Sequence, residues 1–208
     1  MVMATAAVKR RFRHLPGLKS FASVAILLIC SDAIACDLSL VAPASSALRN
    51  PVRATAELAD DILVARFSVA TPSLNAKKVL GKDEYPYQFD VVELFVTLSP
   101  TGFPYFEFEV SPYNQTFQVR INSAKEHLEG VDLGLTSTAQ ILAGGWNAEL
   151  KIPLKTLGWD GDPDKVRGNF YAILGQGRQR SFWSAFLPKA AKANFHQPGH
   201  FRPLLVCK

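Results

Sequence analysis

The sequence predicts an all-β domain, an antiparallel β-sandwich with an immunoglobulin-like or jelly-roll-like arrangement of two sheets. Three observations lead there. Short segments with apolar residues at every second position recur from residue 62 to residue 206, and turns containing Pro or Gly separate them. No stretch sustains a 3.6-residue period, and residues 57–61 and 123–129 are too short to hold a helix alone. Neither a repeat nor a linker divides the chain, so many short strands must bury their faces in one two-layer domain.

The elements follow in order. Residues 62–69 (ILVARFSV) alternate around β-branched positions. Residues 90–98 (DVVELFVTL) form the strongest strand, with Val92, Leu94, Val96 and Leu98 on one face and Val91, Glu93, Phe95 and Thr97 on the other. Residues 99–102 (SPTG) turn the chain into residues 105–110 (YFEFEV). There Phe106, Phe108 and Val110 oppose Tyr105, Glu107 and Glu109, and the two glutamates read as a solvated face. A second turn at 111–114 leads to residues 116–122 (TFQVRIN), and the spacing of the three strands predicts an antiparallel meander. Residues 138–142 are weakly strand-like. After Gly144-Gly145, residues 146–152 place Trp146, Ala148, Leu150 and Ile152 on one face, and 153–157 form a single helical turn. Residues 169–175 and 181–186 flank a hairpin rich in Gly and Arg, and 201–206 close the domain.

The first 35 residues read differently. Lys9, Arg10, Arg11, Arg13 and Lys19 precede the apolar run 21–30 (FASVAILLIC) and the small-residue site Ala33-Ile34-Ala35. This is the pattern of a secretory signal peptide, and the run is too short to span a bilayer. The expected mature domain is 36–208, periplasmic or secreted. The leader carries five of the 23 basic and one of the 18 acidic residues, leaving 18 and 17, a net charge of +1. The basicity of the whole chain therefore predicts no nucleic-acid partner.

Cys36 and Cys207 remain after cleavage. In an oxidising compartment they can form a disulfide if residues 37–41 lie beside residues 202–206. Alternatively, Cys36 carries lipid, which is the one route to the membrane the sequence offers, although Ala33 stands where that signal has a large aliphatic residue. Both methionines precede the cleavage site, so the mature domain has no Met to offer a haem, and no haem is expected. No CxxC is present, and His196 and His200 flank Pro198-Gly199 rather than a helical turn, which argues against zinc. Residues 160–164 (DGDPD) resemble the start of a calcium loop, but Lys165 and Tyr171 replace its Gly and Glu; the turn reads as plain acidic, with structural calcium as the alternative.

The run Asp90-Val91-Val92-Glu93-Leu94-Phe95, followed by residues 105–112 (YFEFEVSP), resembles the paired strand motifs of carbohydrate-binding module family 9 and its DOMON-like relatives. Residues 146–153 (WNAELKIP) with Leu157-Gly158 resemble that family's strand entering a short turn. Asn169-Phe170, Phe182-Trp183-Ser184 and residues 195–198 (FHQP) fall in the same order, so the resemblance covers residues 55–206. It implies a β-sandwich that binds an oligo- or polysaccharide and takes part in carbohydrate catabolism.

The resemblance also implies the site. Tyr87 stands six residues before Glu93, where the family places a stacking aromatic, usually Trp. Arg120 and Asn122 match an Arg-x-Asn on the family's binding face, and Trp183 is the implied second aromatic wall. Rings cover the apolar face of a pyranose, while charged planar groups bond its hydroxyls. Each residue has a plainer alternative: Glu93 with Arg120 as a cross-strand ion pair, Trp183 as core, Tyr87 as loop packing. The function classes follow. The leading one is an exported non-catalytic carbohydrate-binding protein, and its competitor is an envelope scaffold or protein-binding sandwich without a sugar site. An enzyme, by family association a hydrolase of O-glycosyl bonds, needs two carboxylates across a cleft, and no GxSxG is present.

Overall fold

A computed structural model describes residues 51–187 and 194–205, and the backbone of 36–39. The leader and Cys207 lie outside the described residues.

Twelve strands form two antiparallel sheets. One sheet has the order β1-β2-β3-β9-β8, from Cys36–Ser39, Val52–Ala59, Ile62–Ala70, Gly145–Pro153 and Thr136–Leu142. The other has the order β11-β10-β4-β5-β6-β7, from Ser181–Ser184, Arg167–Leu174, Val91–Thr97, Tyr105–Val110, Thr116–Ser123 and Glu126–Glu129. The two-residue β12, Arg202–Pro203, joins β10 beside Arg167 and Gly168. The expected β-sandwich is thus present, with β4, β5 and β6 as consecutive neighbours. Among the described residues no helix is long and apolar enough to cross a membrane.

The two sheets pack through their facing apolar rows. Val92, Leu94 and Val96 of β4, Phe106 and Phe108 of β5 and Phe170 of β10 meet Phe67, Trp146 and Leu150 of the five-stranded sheet, all at most 3% exposed. Alternation puts these side chains on one face because successive residues of a strand point to opposite sides. Gly168 lets β10 approach β4, since a Cβ there would lie 1.9 Å from the Phe95 carbonyl oxygen.

The seven-stranded sheet has a second apolar layer on its outer face. Phe95, Tyr105, Ile121 and Tyr171 are buried there under Phe195 and Phe201. The Tyr171 and Phe195 rings stack at 4.2 Å, and the Tyr171 hydroxyl donates to the Phe195 carbonyl at 3.0 Å. A sheet face that alternation alone would leave to water is therefore roofed by the C-terminal segment.

The two segments too short to hold a helix alone are largely extended. Residues 57–59 belong to β2, where Glu57 pairs with Val64, and the chain reverses at Asp60 with φ 57°. Ala- and Glu-rich VRATAELA has weak β propensity, and pairing with β3 overrides it. Residues 126–129 form β7 at a sheet edge. In the described parts of the two ends, β1 bonds to β2 in one sheet and β12 to β10 in the other.

Candidate functional site

The site lies on the outer face of the seven-stranded sheet, beside the apolar roof. Glu93 on β4 stands directly opposite Glu109 on β5, and Glu107 lies two residues further along β5 on the same face. One carboxylate oxygen from each lies within 4.8 Å of the others. The three side chains are 2%, 0% and 6% exposed, respectively. Like charges opposite one another destabilise a sheet, and burial multiplies the effect by removing water. Burial raises Glu107 to about 7. It holds Glu93 well above the usual carboxylate range, with the Glu107 charge pushing the same way and Arg180 pulling back. Glu109 is also well above that range through burial and then the charges of Glu93 and Glu107. The Tyr87 amide approaches Glu109 and works in the opposite direction, but neither Glu109 oxygen completes a hydrogen bond.

Over Glu93 and Glu107 opens a pocket of about 320 Å³, walled by Tyr87, Phe117, Phe182 and His196. Tyr87 stacks on Tyr85 at 5.2 Å, and Phe117 meets both rings edge-on. Arg180 donates to the Tyr87 carbonyl and lies 5.3 Å over the Phe182 ring, bridging the lip of the pocket. The Tyr87 loop is held from behind by Asp90. Its carboxylate accepts from the backbone N–H groups of Asn75, at 3.0 Å, and Gly175, at 2.7 Å. On the far rim the His127 and His196 rings stack at 5.8 Å, and His196 Nδ1 shares a hydrogen bond of 2.8 Å with the Tyr105 hydroxyl.

The structure brings together only part of the set expected from sequence. Glu93 and Tyr87 line the pocket. Arg120 and Asn122 share a face with each other, as expected, but not with Glu93. Arg120 is the register partner of Phe106, which points into the inter-sheet core, so Val119 and Phe117 are the β6 residues that face the site. Arg120 lies 5.8 Å over the Phe106 ring and donates to Asn122 at 2.8 Å, and Asn122 donates to Glu126 at 3.0 Å. The Glu93–Arg120 ion pair is therefore not formed. Trp183 is 5% exposed in the inter-sheet core, and its indole N–H donates to the Ser181 hydroxyl at 2.9 Å. Its neighbour Phe182 supplies the pocket wall instead.

Sequence reading put Glu107 and Glu109 beside Glu93 on the adjoining strand but took them for a solvated face, because alternation with apolar rings does not distinguish that face from a buried one. Their sequence signal was position: both share the face of Glu93 on the adjoining strand. The acidic turn 160–164 is occupied otherwise. Asp160 pairs with Lys165, and the Asp162 carboxylate accepts the Asp164 N–H at 3.0 Å.

A larger depression of about 520 Å³ lies on the outer face of the five-stranded sheet. Its charges are spent on each other: Arg66 bonds Glu57 and Glu149 at 2.6 and 2.7 Å. The smaller pocket is the better chemical candidate. It combines aromatic walls with buried carboxyl groups that make no ion pair among the described residues, the combination that a ring with hydroxyls can fill.

No family model matches the chain, and no curated protein matches it. Solved structures do. A candidate carbohydrate-binding protein from Bacteroides uniformis superposes with a TM-score of 0.65 at 16% identity, over 82% of this chain and 84% of that one. A carbohydrate-binding module of family 9 from Caldicellulosiruptor kristjanssonii, solved with glucose, gives 0.57 at 16% identity over 79% and 81%. The same organism's family 9 module with cellotriose gives 0.52 at 17% identity over 82% and 79%. The resemblance read from the strand motifs is thus met by similarity of the whole sandwich: this chain has the fold of the family 9 carbohydrate-binding modules.

Proposed function

We propose that this chain is a non-catalytic carbohydrate-binding protein that seats a sugar ring against Tyr87 and Phe182, over Glu93 and Glu107. The observation that carries this reading is the pocket itself, in which aromatic walls meet the buried carboxyls of Glu93 and Glu107. The solved family 9 modules of the same fold, one with glucose and one with cellotriose, support the ligand class. The leader pattern of residues 1–35 adds export, to the periplasm or beyond the cell, and a role in gathering sugar for catabolism. The three glutamates sit side by side on one floor rather than facing each other across a cleft, which suits holding a sugar better than cleaving it.

Calorimetry with glucose and cellotriose tests the reading. Wild type binds at least one of them weakly to moderately, since each sugar bond only replaces a bond to water and nets about 0.5–1.5 kcal/mol. Tyr87→Ala weakens binding about tenfold without lowering the melting temperature, because Tyr87 is 37% exposed. Incubation with cellotriose releases no glucose. Absence of binding to both sugars overturns the proposal.

A further inference from the structure

The least explained feature of the molecule is Glu109. Its side chain is fully buried, and among the described residues no N–H or O–H group completes a hydrogen bond to either carboxylate oxygen. It faces Glu93 across the β4–β5 ladder and has Glu107 two residues away on its own strand. Among the described residues, no ion pair reaches the three carboxyls. Arg180 is exposed on the lip, bonded to the Tyr87 carbonyl, and acts on Glu93 only through its charge.

Two agents relieve buried carboxyls at close quarters, a shared proton or a cation. A shared proton draws two carboxyl oxygens into a short hydrogen bond of about 2.5–2.7 Å. Glu107 and Glu109 stand close enough to share a proton, but one proton between those two leaves the Glu93 carboxyl, directly opposite Glu109, unrelieved. The three carboxyls keep one oxygen each within 4.8 Å of the other two, a spacing that suits a single ion held by all three. We propose that Glu93, Glu107 and Glu109 form a binding site for a divalent cation, calcium by preference, at the floor of the pocket.

The donor set favours a hard ion. All three ligands are carboxylates, and no cysteine or histidine belongs to the group. Calcium takes six to eight oxygens in an adaptable arrangement, whereas magnesium demands a stricter octahedron. Three carboxylates leave the coordination sphere incomplete. Glu93 and Glu107 border the pocket while Glu109 closes the site from behind, so the open positions face the cavity. Water fills them in the free protein. If the proposed function holds, two neighbouring sugar hydroxyls replace that water, and sugar binding becomes calcium-dependent; this last step rests on the carbohydrate reading, while the ion site does not.

The test uses the purified protein stripped with EDTA and titrated calorimetrically with CaCl2 alone. One equivalent is expected to bind in the range of extracellular modules, about 0.1–1 mM, and to raise the melting temperature. Glu109→Gln and Glu93→Gln keep side-chain shape and each weaken binding at least tenfold, while Asp160→Asn, in the surface acidic turn, leaves it unchanged. Wild type that binds no calcium up to 10 mM (about ten times the weaker limit) overturns the site. So does calcium binding that survives both glutamate substitutions or is lost in Asp160→Asn. Glucose and cellotriose titrations with and without calcium separate the two readings. Calcium bound without any sugar supports the ion site and ends the carbohydrate reading. Sugar bound equally in EDTA keeps the carbohydrate reading and overturns the calcium-dependent step.

Discussion

Asp90 offers the sharpest test of how this pocket is held. Its carboxylate is fully buried and accepts the N–H groups of Asn75 and Gly175, while its own N–H donates to the Asn75 carbonyl at 2.8 Å. Asn75 closes the ring by donating through Nδ2 to the Gly175 carbonyl at 3.0 Å. The clasp ties the loop carrying Tyr87 to the turn between β10 and β11. Gly175 sits in that turn at φ 78°, where a Cβ would also lie 2.7 Å from the Gln179 carbonyl. Asp90→Ala removes two charged hydrogen bonds, each netting about 1.5–3 kcal/mol, and strands two amides. Against that, it removes a carboxylate that burial already holds above its ordinary pKa, so part of the gain was offset in the native protein. The expected net loss is about 2–4 kcal/mol, read as a fall in the urea midpoint at unchanged slope. If the proposed function holds, sugar affinity falls as well, because the Tyr87 wall loses its clasp and keeps only the Arg180 bond and its ring contacts with Tyr85 and Phe117 among those described. An Asp90→Ala protein within about 0.5 kcal/mol of wild type refutes the clasp, since that is the range of an ordinary surface substitution.

Three further outcomes are expected. Trp183→Ala opens a cavity in the inter-sheet core and costs about 3–5 kcal/mol in denaturant unfolding, yet leaves sugar affinity intact; lost affinity in a still-folded variant would return Trp183 to the site. Arg120→Ala changes stability by less than about 1 kcal/mol and sugar binding not at all, because the exposed guanidinium lies on the other face of the sheet from Glu93. The third concerns pH in cation-free buffer. Glu107 is raised in the folded chain to about 7 from 4.5, so its contribution to stability is fully present below pH 4.5 and is lost as pH rises through 7. The loss amounts to at most about 3 kcal/mol, and Glu107→Gln should flatten it; identical pH profiles for wild type and variant would show that Glu107 titrates normally.

Much of the fold was legible because a strand shows its two faces to the sequence directly. Alternation in DVVELFVTL and YFEFEV assigned every side chain of β4 and β5 to the side it occupies, and the turns between them announced the meander. The β2 strand was hidden, since Ala and Glu carry little β preference and only its neighbour β3 makes it extended. Tyr87 and Glu93, six residues apart, do line one pocket. Arg120 and Asn122 lie on the other face of the sheet from Glu93, and Trp183 occupies the inter-sheet core, its plainer reading. Whether a residue faces the site depends on the register in which its strand pairs, and a shift of one residue moves it to the opposite face.

By itself, then, the sequence determined local matters: which segments extend and which residues share a face within a strand. Tertiary structure alone decided that Glu107 and Glu109 are buried. Nothing in YFEFEV distinguishes a glutamate in water from one beneath a roof. The roof comes from Phe195 and Phe201, some ninety residues away, and from the Tyr87 loop clasped by Asp90. Burial is a property of what lies opposite a face, and strand alternation says only that the face exists.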